Sequence, residues 1–148
     1  MQRYGLIGRP LGHSFSKDHF TRKFAKAGLK DHRYDLFELD AIDRLPALLR
    51  DTPDLRGLNV TIPYKEAVIS YLDELDPLAA AVRAVNTIVV RDGRTTGHNT
   101  DVQGFRALLT PIMDGLSDKN SDIRTRALVL GSGGASRAVA FVLREMNI

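Results

Sequence analysis

Short apolar runs alternate with helical patterns along the first part of the chain, and this alternation restricts the fold to a few architectures. Asp92-Gly93 stands between two of the runs, which is a strong hairpin signal. Strand–helix repeats favour parallel neighbours, whereas a hairpin requires an antiparallel pair. The pattern therefore predicts an α/β fold with a mixed, mostly parallel sheet flanked by helices. The predicted strands are Tyr4–Gly8, Tyr34–Leu39, Leu58–Ile62, Thr87–Val90 and Thr95–His98.

Composition excludes several classes of protein. The 148 residues include no cysteine, which argues against a disulfide scaffold and against any site with cysteine ligands. The formal charge of +3 arises from intermixed acids and bases, so it gives no support to nucleic-acid binding. No apolar run is long enough for a membrane span or a signal peptide, and the four histidines lack metal-ligand spacing. We expect a cytoplasmic protein without a bound metal.

The end of the chain differs from its beginning. Residues 110–125 are rich in small and polar residues and are predicted to be a linker. An apolar strand at Ala127–Leu130, a glycine-rich turn and a helix follow, which is how a dinucleotide-binding Rossmann domain opens. One strand and one helix cannot form such a domain. We therefore expect a substrate domain at 1–109 and a truncated cofactor domain at 126–148.

The predicted tail raises a question of association. Its strand is apolar on both faces, and its helix has one apolar side formed by Val139, Val142 and Met146. Without neighbouring strands these surfaces would be exposed. The tail would then be either disordered or docked on a second copy of the chain, and we expect docking, which forms a homodimer.

Polar clusters interrupt the apolar pattern at the predicted strand ends. Ser14 and Ser16 follow the first strand and precede a helix, where hydroxyl groups suit an anion such as a carboxylate, although Ser16 could simply cap the helix. Lys65 lies near a predicted helix start, where the helix dipole would lower its pKa, unless it is an ordinary solvated lysine. Asp101 could cap the next helix or pair with a lysine.

Five motifs occur in a fixed order: G-x-P-x-x-H-S-x-S, N-V-T-I-P-Y-K-E, A-V-N-T, N-T-D-x-x-G-F and G-S-G-G-A-S-R-A. The ordered set resembles the shikimate dehydrogenase family. The resemblance implies an N-terminal substrate domain and a C-terminal Rossmann domain that binds NADP. It also implies the reversible reduction of 3-dehydroshikimate to shikimate, a step of aromatic amino-acid biosynthesis.

The resemblance assigns a role to each candidate residue. It implies that Ser14 and Ser16 hold the substrate carboxylate. It implies that Lys65 is the catalytic lysine, working with Asp101. The ring hydroxyls would be bound by Thr61, Asn86 and Asp101, and the cofactor phosphates by Gly131, Gly133, Gly134 and Ala135.

The chain departs from the family pattern at two positions, and two alternative functions stay open on other grounds. Lys17 replaces the usual proline and Phe20 the usual asparagine, for which we expect a modest effect on affinity. A quinate/shikimate dehydrogenase and a non-catalytic shikimate-binding module are the alternative functions. Because most of the cofactor domain is expected to be missing, we expect no turnover from this chain alone.

Overall fold

A computed structural model of the chain describes residues 1–116 and 125–148. Within them, six strands form one sheet in the order β2-β1-β3-β5-β6-β4. The strands are β1 (Gln2–Gly8), β2 (His32–Glu38), β3 (Leu55–Val60), β4 (Glu74–Leu75), β5 (Thr87–Arg91) and β6 (Arg94–His98). The helices are α1 (Ser16–Lys26), α2 (Leu45–Asp51), α3 (Pro77–Val82), α4 (Asp101–Leu116) and α5 (Gly134–Glu145), with 3₁₀ helices at Ile42–Arg44 and Ala67–Tyr71.

Strand direction confirms the predicted mixed sheet. β1 runs parallel to β2 and β3, and β4 runs parallel to β6. β5 runs antiparallel to both β3 and β6. The β5–β6 hairpin turns through Asp92 and Gly93, whose φ angles of 52° and 77° are those of a turn that favours an Asp-Gly pair. β4 was not predicted, since its two residues carry no alternating pattern.

Helices cover the sheet on its two faces. Because side chains alternate along each strand, successive residues are buried under helices on opposite faces. Leu6 of β1 packs with Tyr34, Phe20 and Phe24 on the face covered by α1. The next residue, Ile7, is fully buried on the opposite face, in a cluster that includes Leu45, Leu55, Leu58, Val68 and Ile88. Burying each such aliphatic side chain stabilises the fold by roughly 1.5–3 kcal/mol. The sheet is thus packed between two apolar clusters, one on each of its faces.

The predicted linker is helical in its first part. α4 extends to Leu116, so residues 110–116 belong to a helix and not to a loop. Leu109 and Met113, four positions apart, are partly buried and continue the helical spacing through the small and polar residues. Residues 117–124 of the predicted linker lie outside the described residues.

The predicted tail strand is absent from the described residues, because Ala127–Leu130 pairs with no strand there. A parallel strand needs neighbours to satisfy its backbone, and the described part of the chain provides none for it. Leu128 and Leu130 are instead 84% and 85% exposed.

Helix α5 packs on its own chain. Ala138 and Val142 are buried against Val82, Ala84 and Val102 of the preceding helices and their connections. An ion pair between Arg106 and Glu145 joins α4 to the end of α5. The expectation that the apolar side of this helix lacks a partner is therefore wrong, while the homodimer stays a prediction.

Among the described residues, no helix combines the length and apolar character needed to cross a bilayer.

Candidate active site

The four central strands of the sheet each bring one end to the same edge. β1, β3 and β6 reach this edge with their carboxyl ends, while the antiparallel β5 reaches it with its amino end. The register places Asn59 opposite Thr87, and Thr87 opposite His98. Polar residues that are far apart in the sequence therefore meet here, where open α/β sheets bind ligands.

Lys65 and Asp101 form an ion pair at this edge. The Lys65 Nζ atom lies 2.6 Å from Asp101 Oδ2, and the two side chains are 17% and 32% exposed. The Lys65 carbonyl accepts a hydrogen bond from the Val85 N–H at 2.7 Å, which fixes the backbone that carries the lysine. The pair is sheltered yet reachable by a small molecule, and it could donate a proton to a bound oxygen.

The surroundings of Lys65 differ from the sequence prediction. The helix that follows is a 3₁₀ helix, Ala67–Tyr71, where an α-helix was expected. Five residues in this conformation provide little dipole. The carboxylate of Asp101 is therefore the charge that acts most directly on the lysine.

Asn86 holds the other oxygen of Asp101. Its Nδ2 donates to Asp101 Oδ1 at 2.7 Å and to Thr100 Oγ1 at 2.8 Å. Its Oδ1 accepts from the Thr100 N–H at 2.9 Å and from the Thr87 hydroxyl at 3.1 Å. Asn86 is 9% exposed, so both the donors and the acceptor of its amide are used in positioning Asp101 and its neighbours.

Asp101 does not cap α4. Asn99, which is 2% exposed, accepts the Val102 N–H with its Oδ1 at 3.3 Å and donates to the Ala84 carbonyl at 2.9 Å. Because Asn99 occupies the capping role, the Asp101 carboxylate is available to Lys65 and Asn86. This favours the interpretation that Asp101 pairs with a lysine.

The two serines lie in the loop after β1. Ser14 Oγ accepts the Ser16 N–H at 3.2 Å, which leaves the Ser14 hydroxyl hydrogen available for an anion. Ser16 is the first residue of α1, and Phe15 precedes it in the capping position without a side-chain hydrogen bond. Ser16 is therefore not the helix cap that the sequence allowed.

Tyr34 and Asn59 connect the serines to the ion pair, and neither was among the predicted site residues. Burial raises the pKa of Tyr34 to about 12, and a hydrogen bond with Ser16 partly opposes this rise. The Tyr34 hydroxyl donates to Asn59 Oδ1 at 2.8 Å, and Asn59 Nδ2 approaches Thr87 Oγ1 at 3.4 Å. The alternation of β3 indicated a polar face at Asn59, but the pairing with Tyr34 depends on the β1–β2–β3 arrangement.

Thr61 and the glycine-rich turn also lie near this edge. The Thr61 N–H donates to the Ile7 carbonyl at 2.9 Å, just beyond β3. Gly131 has φ of +108°, and Gly133 directly precedes α5, whose first turn has no side-chain cap. Gly134 is buried beside Lys65, while Ala135 is exposed. The turn thus lies next to the ion pair.

The two departures from the motif have clear environments. Lys17 Nζ lies 3.8 Å from the buried Asp35 carboxylate, so an ion pair joins α1 to β2 at this position. The Phe20 ring stacks on Tyr34 with centroids 4.4 Å apart and planes at 8°. Phe20 therefore supports the tyrosine that contacts Ser16.

Comparison with known proteins gives consistent results. Residues 6–88 match the family model described as the shikimate dehydrogenase substrate binding domain. The chain is 42% identical to the shikimate dehydrogenase (NADP(+)) of Bacillus cereus strain B4264, covering 99% of this chain and 51% of that protein. The corresponding Halothermothrix orenii protein is 43% identical, covering 96% and 47%. The chain spans about half the length of the curated relatives it matches.

Solved structures resemble this fold over nearly the whole chain. Shikimate 5-dehydrogenase from Thermus thermophilus, in complex with NADP(H) and shikimate, gives a TM-score of 0.81 at 36% identity, covering 100% of this chain and 54% of that one. Shikimate dehydrogenase 1 from Peptoclostridium difficile gives a TM-score of 0.83 at 33% identity, covering 98% and 53%.

Proposed function

The chain belongs to the family of shikimate dehydrogenase substrate-binding domains, and on that premise we propose that it binds shikimate and 3-dehydroshikimate for an NADP-dependent shikimate dehydrogenase. The reaction is the reversible reduction of the 3-keto group to a hydroxyl. The cytoplasmic location expected from the sequence belongs to this proposal.

The Lys65–Asp101 pair is the observation that carries the proposal. Reduction of a ketone develops negative charge on its oxygen, and that oxygen then takes a proton. The Lys65 ammonium can stabilise the charge and donate the proton, while Asp101, 2.6 Å away, orients it. Asn86 keeps Asp101 in place through its 2.7 Å hydrogen bond. A module that only binds its ligand would not require such a pair.

The remaining site residues suit the rest of the substrate. Hydroxyl groups of Ser14 and Ser16 would donate to the carboxylate at one end of the ring. Thr61 and Asp101 would hydrogen-bond the ring hydroxyls at the other end. Asn86, for which the resemblance implies the same role, would have to exchange one of its hydrogen bonds within the chain for a bond to the ligand. Ser16 and Asn86 are joined through Tyr34, Asn59 and Thr87, so the two ends of the site are held at a fixed separation.

The glycine-rich turn fits a dinucleotide. The first turn of α5 has no capping side chain, and its backbone N–H groups are the donors that phosphates bind at helix starts. Gly131, Gly133, Gly134 and Ala135 would form this part of the NADP site. The cofactor would supply the hydride. The described residues form no sheet behind the turn, and we expect no turnover from this chain alone.

Calorimetric titration of the chain with shikimate tests the proposal without requiring turnover. We expect shikimate to bind, and Ser16→Ala to weaken binding more than Lys65→Ala does, because the lysine acts mainly in the reaction step. Lys26→Ala, at an exposed position of α1, is the matched control and should bind like the unmodified chain.

Quinate and benzoate serve as comparison ligands. Quinate carries an additional hydroxyl beside its carboxylate, so equal affinity for quinate would favour the quinate/shikimate alternative. If shikimate binds no more tightly than benzoate, or if Lys65→Ala and Ser16→Ala bind like the control, the proposed function is wrong.

A further inference from the structure

The first turn of α5 is packed directly against the side chain of Lys65. Gly134 is buried, and a Cβ atom there would lie 2.7 Å from Lys65 Cβ and 3.2 Å from Ala84 Cβ. Real Cβ atoms do not approach so closely, so the glycine is what allows the helix to rest on the lysine stem. The first turn of α5 thereby confines the Lys65 stem on the side where Gly134 lies.

An ion pair fixes the same two segments one helical turn later. Arg137 Nη2 lies 2.7 Å from Glu66 Oε2, and Glu66 directly follows Lys65 in the chain. Both side chains are partly exposed, at 37% and 39%, so the pair contributes little to stability but defines a position. Lys65 is thus held by α5 through its own stem and through the next residue.

The helix that does this is itself anchored. Ala138 and Val142 bury its apolar side against Val82 and Val102, and Val102 is the residue after Asp101. The same hydrophobic cluster therefore supports both α5 and the start of α4. Movement of α5 relative to α4 would change the separation of Lys65 from Asp101.

We propose that Gly134 and Arg137 are positioning residues for Lys65, which direct its ammonium group towards Asp101. The inference rests on the proposed role of Lys65 as proton donor. It gives the glycine-rich segment a second task besides the phosphate binding that the family resemblance implies. The helix that would hold the cofactor then also sets the geometry of proton transfer.

Chemical acylation of lysine amines measures this positioning directly. The chain is treated with an amine-acylating reagent, and the rate at Lys65 is followed by peptide mass spectrometry, with exposed Lys26 as internal reference. Gly134→Ala should push the Lys65 stem and release its amine from Asp101. We expect a rate increase of about two- to tenfold at Lys65, the factor that corresponds to one hydrogen bond.

Two controls separate positioning from general loosening. Gly104→Ala, in α4, places its Cβ where no atom beyond the adjacent residues and the backbone of the same helix lies within 4 Å, and it should leave the Lys65 rate unchanged. Arg137→Gln should raise the Lys65 rate, and Arg137→Lys should restore it by keeping the charge beside Glu66. Arg137→Gln also carries the test if Gly134→Ala does not fold.

The outcomes that overturn the proposal are specific. If Arg137→Gln and a folded Gly134→Ala react at Lys65 like Gly104→Ala, α5 does not position the lysine. If Lys26 accelerates as much as Lys65, or if Arg137→Lys fails to rescue, the role is structural only. The assay contains no shikimate and no cofactor. Failure of the proposed function in the calorimetric titration would therefore be seen separately.

Discussion

Replacing Asn86 with aspartate tests the hydrogen-bond arrangement around the ion pair with almost no change of shape. The substitution converts the amide nitrogen into an oxygen. Two donated hydrogen bonds are lost, those to Asp101 Oδ1 at 2.7 Å and to Thr100 Oγ1 at 2.8 Å. A second carboxylate oxygen then faces Asp101 from a position that is only 9% exposed.

The expected cost follows from these contacts. Each lost hydrogen bond is worth about 0.5–1.5 kcal/mol, so the two together lower the free energy of unfolding by about 1–3 kcal/mol. Repulsion between the carboxylates adds to this at neutral pH and raises the pKa of one of them in the folded state. As the pH falls and that group binds a proton, its O–H can donate to the neighbouring oxygen. The difference in free energy of unfolding between the unmodified chain and Asn86→Asp should therefore become smaller in acid.

Urea unfolding at about pH 7 and about pH 4, on either side of this titration, provides the measurement. Asn147→Asp makes the same chemical change at an exposed position and is the matched control. We expect Asn86→Asp to be less stable than the control at about pH 7, and to approach it at about pH 4. If the two variants are equally stable at neutral pH, Asn86 does not hold Asp101 as described.

Three further predictions concern stability. Burial raises the pKa of Tyr34 to about 12. The stability that this shift contributes is therefore complete below the ordinary tyrosine pKa and is lost as the pH rises through 12. Tyr34→Phe should remove this alkaline step from the phenolate absorbance titration. Hydrogen bonds from Thr95 in β6 lower the pKa of Asp73. The contribution of Asp73 to stability is therefore present above the ordinary pKa range of a carboxyl group and is lost as the pH falls through the lowered pKa. The difference in urea midpoint between the unmodified chain and Asp73→Asn should disappear in acid. Gly97→Ala would place a Cβ 2.8 Å from Val85 Cγ2 and should cost about 1–3 kcal/mol by overpacking, whereas a urea midpoint equal to that of the unmodified chain would contradict this.

The sequence predicted the features that depend on local chemistry. Asp92-Gly93 specifies its turn through the backbone freedom of two adjacent residues, and the hairpin is present. The motif order also identified Lys65 and Asp101, which the structure brings to 2.6 Å. Tyr34 was missed because its hydroxyl meets Asn59 only when β2 and β3 flank β1, an arrangement that no local pattern specifies.

The tail shows the opposite case. Ala127–Leu130 has a good strand pattern, yet a strand exists only if another strand accepts its hydrogen bonds. The helix that follows needs only an apolar surface, which α4 and the end of α3 provide. Local pattern was therefore sufficient for the helix, whose backbone bonds are internal, and insufficient for the strand.

The reversed direction of β5 has a practical consequence. Since Asn86 precedes this strand at the edge that carries the ion pair, the turn at Asp92 and Gly93 lies at the other end of the same strand, away from that edge. Both turn residues are exposed. A dye, an affinity tag or a surface linkage attached at this turn would leave the edge that carries the ion pair directed towards solution. The hairpin turn is thus a suitable point at which to immobilise the molecule or to attach a fluorescent reporter.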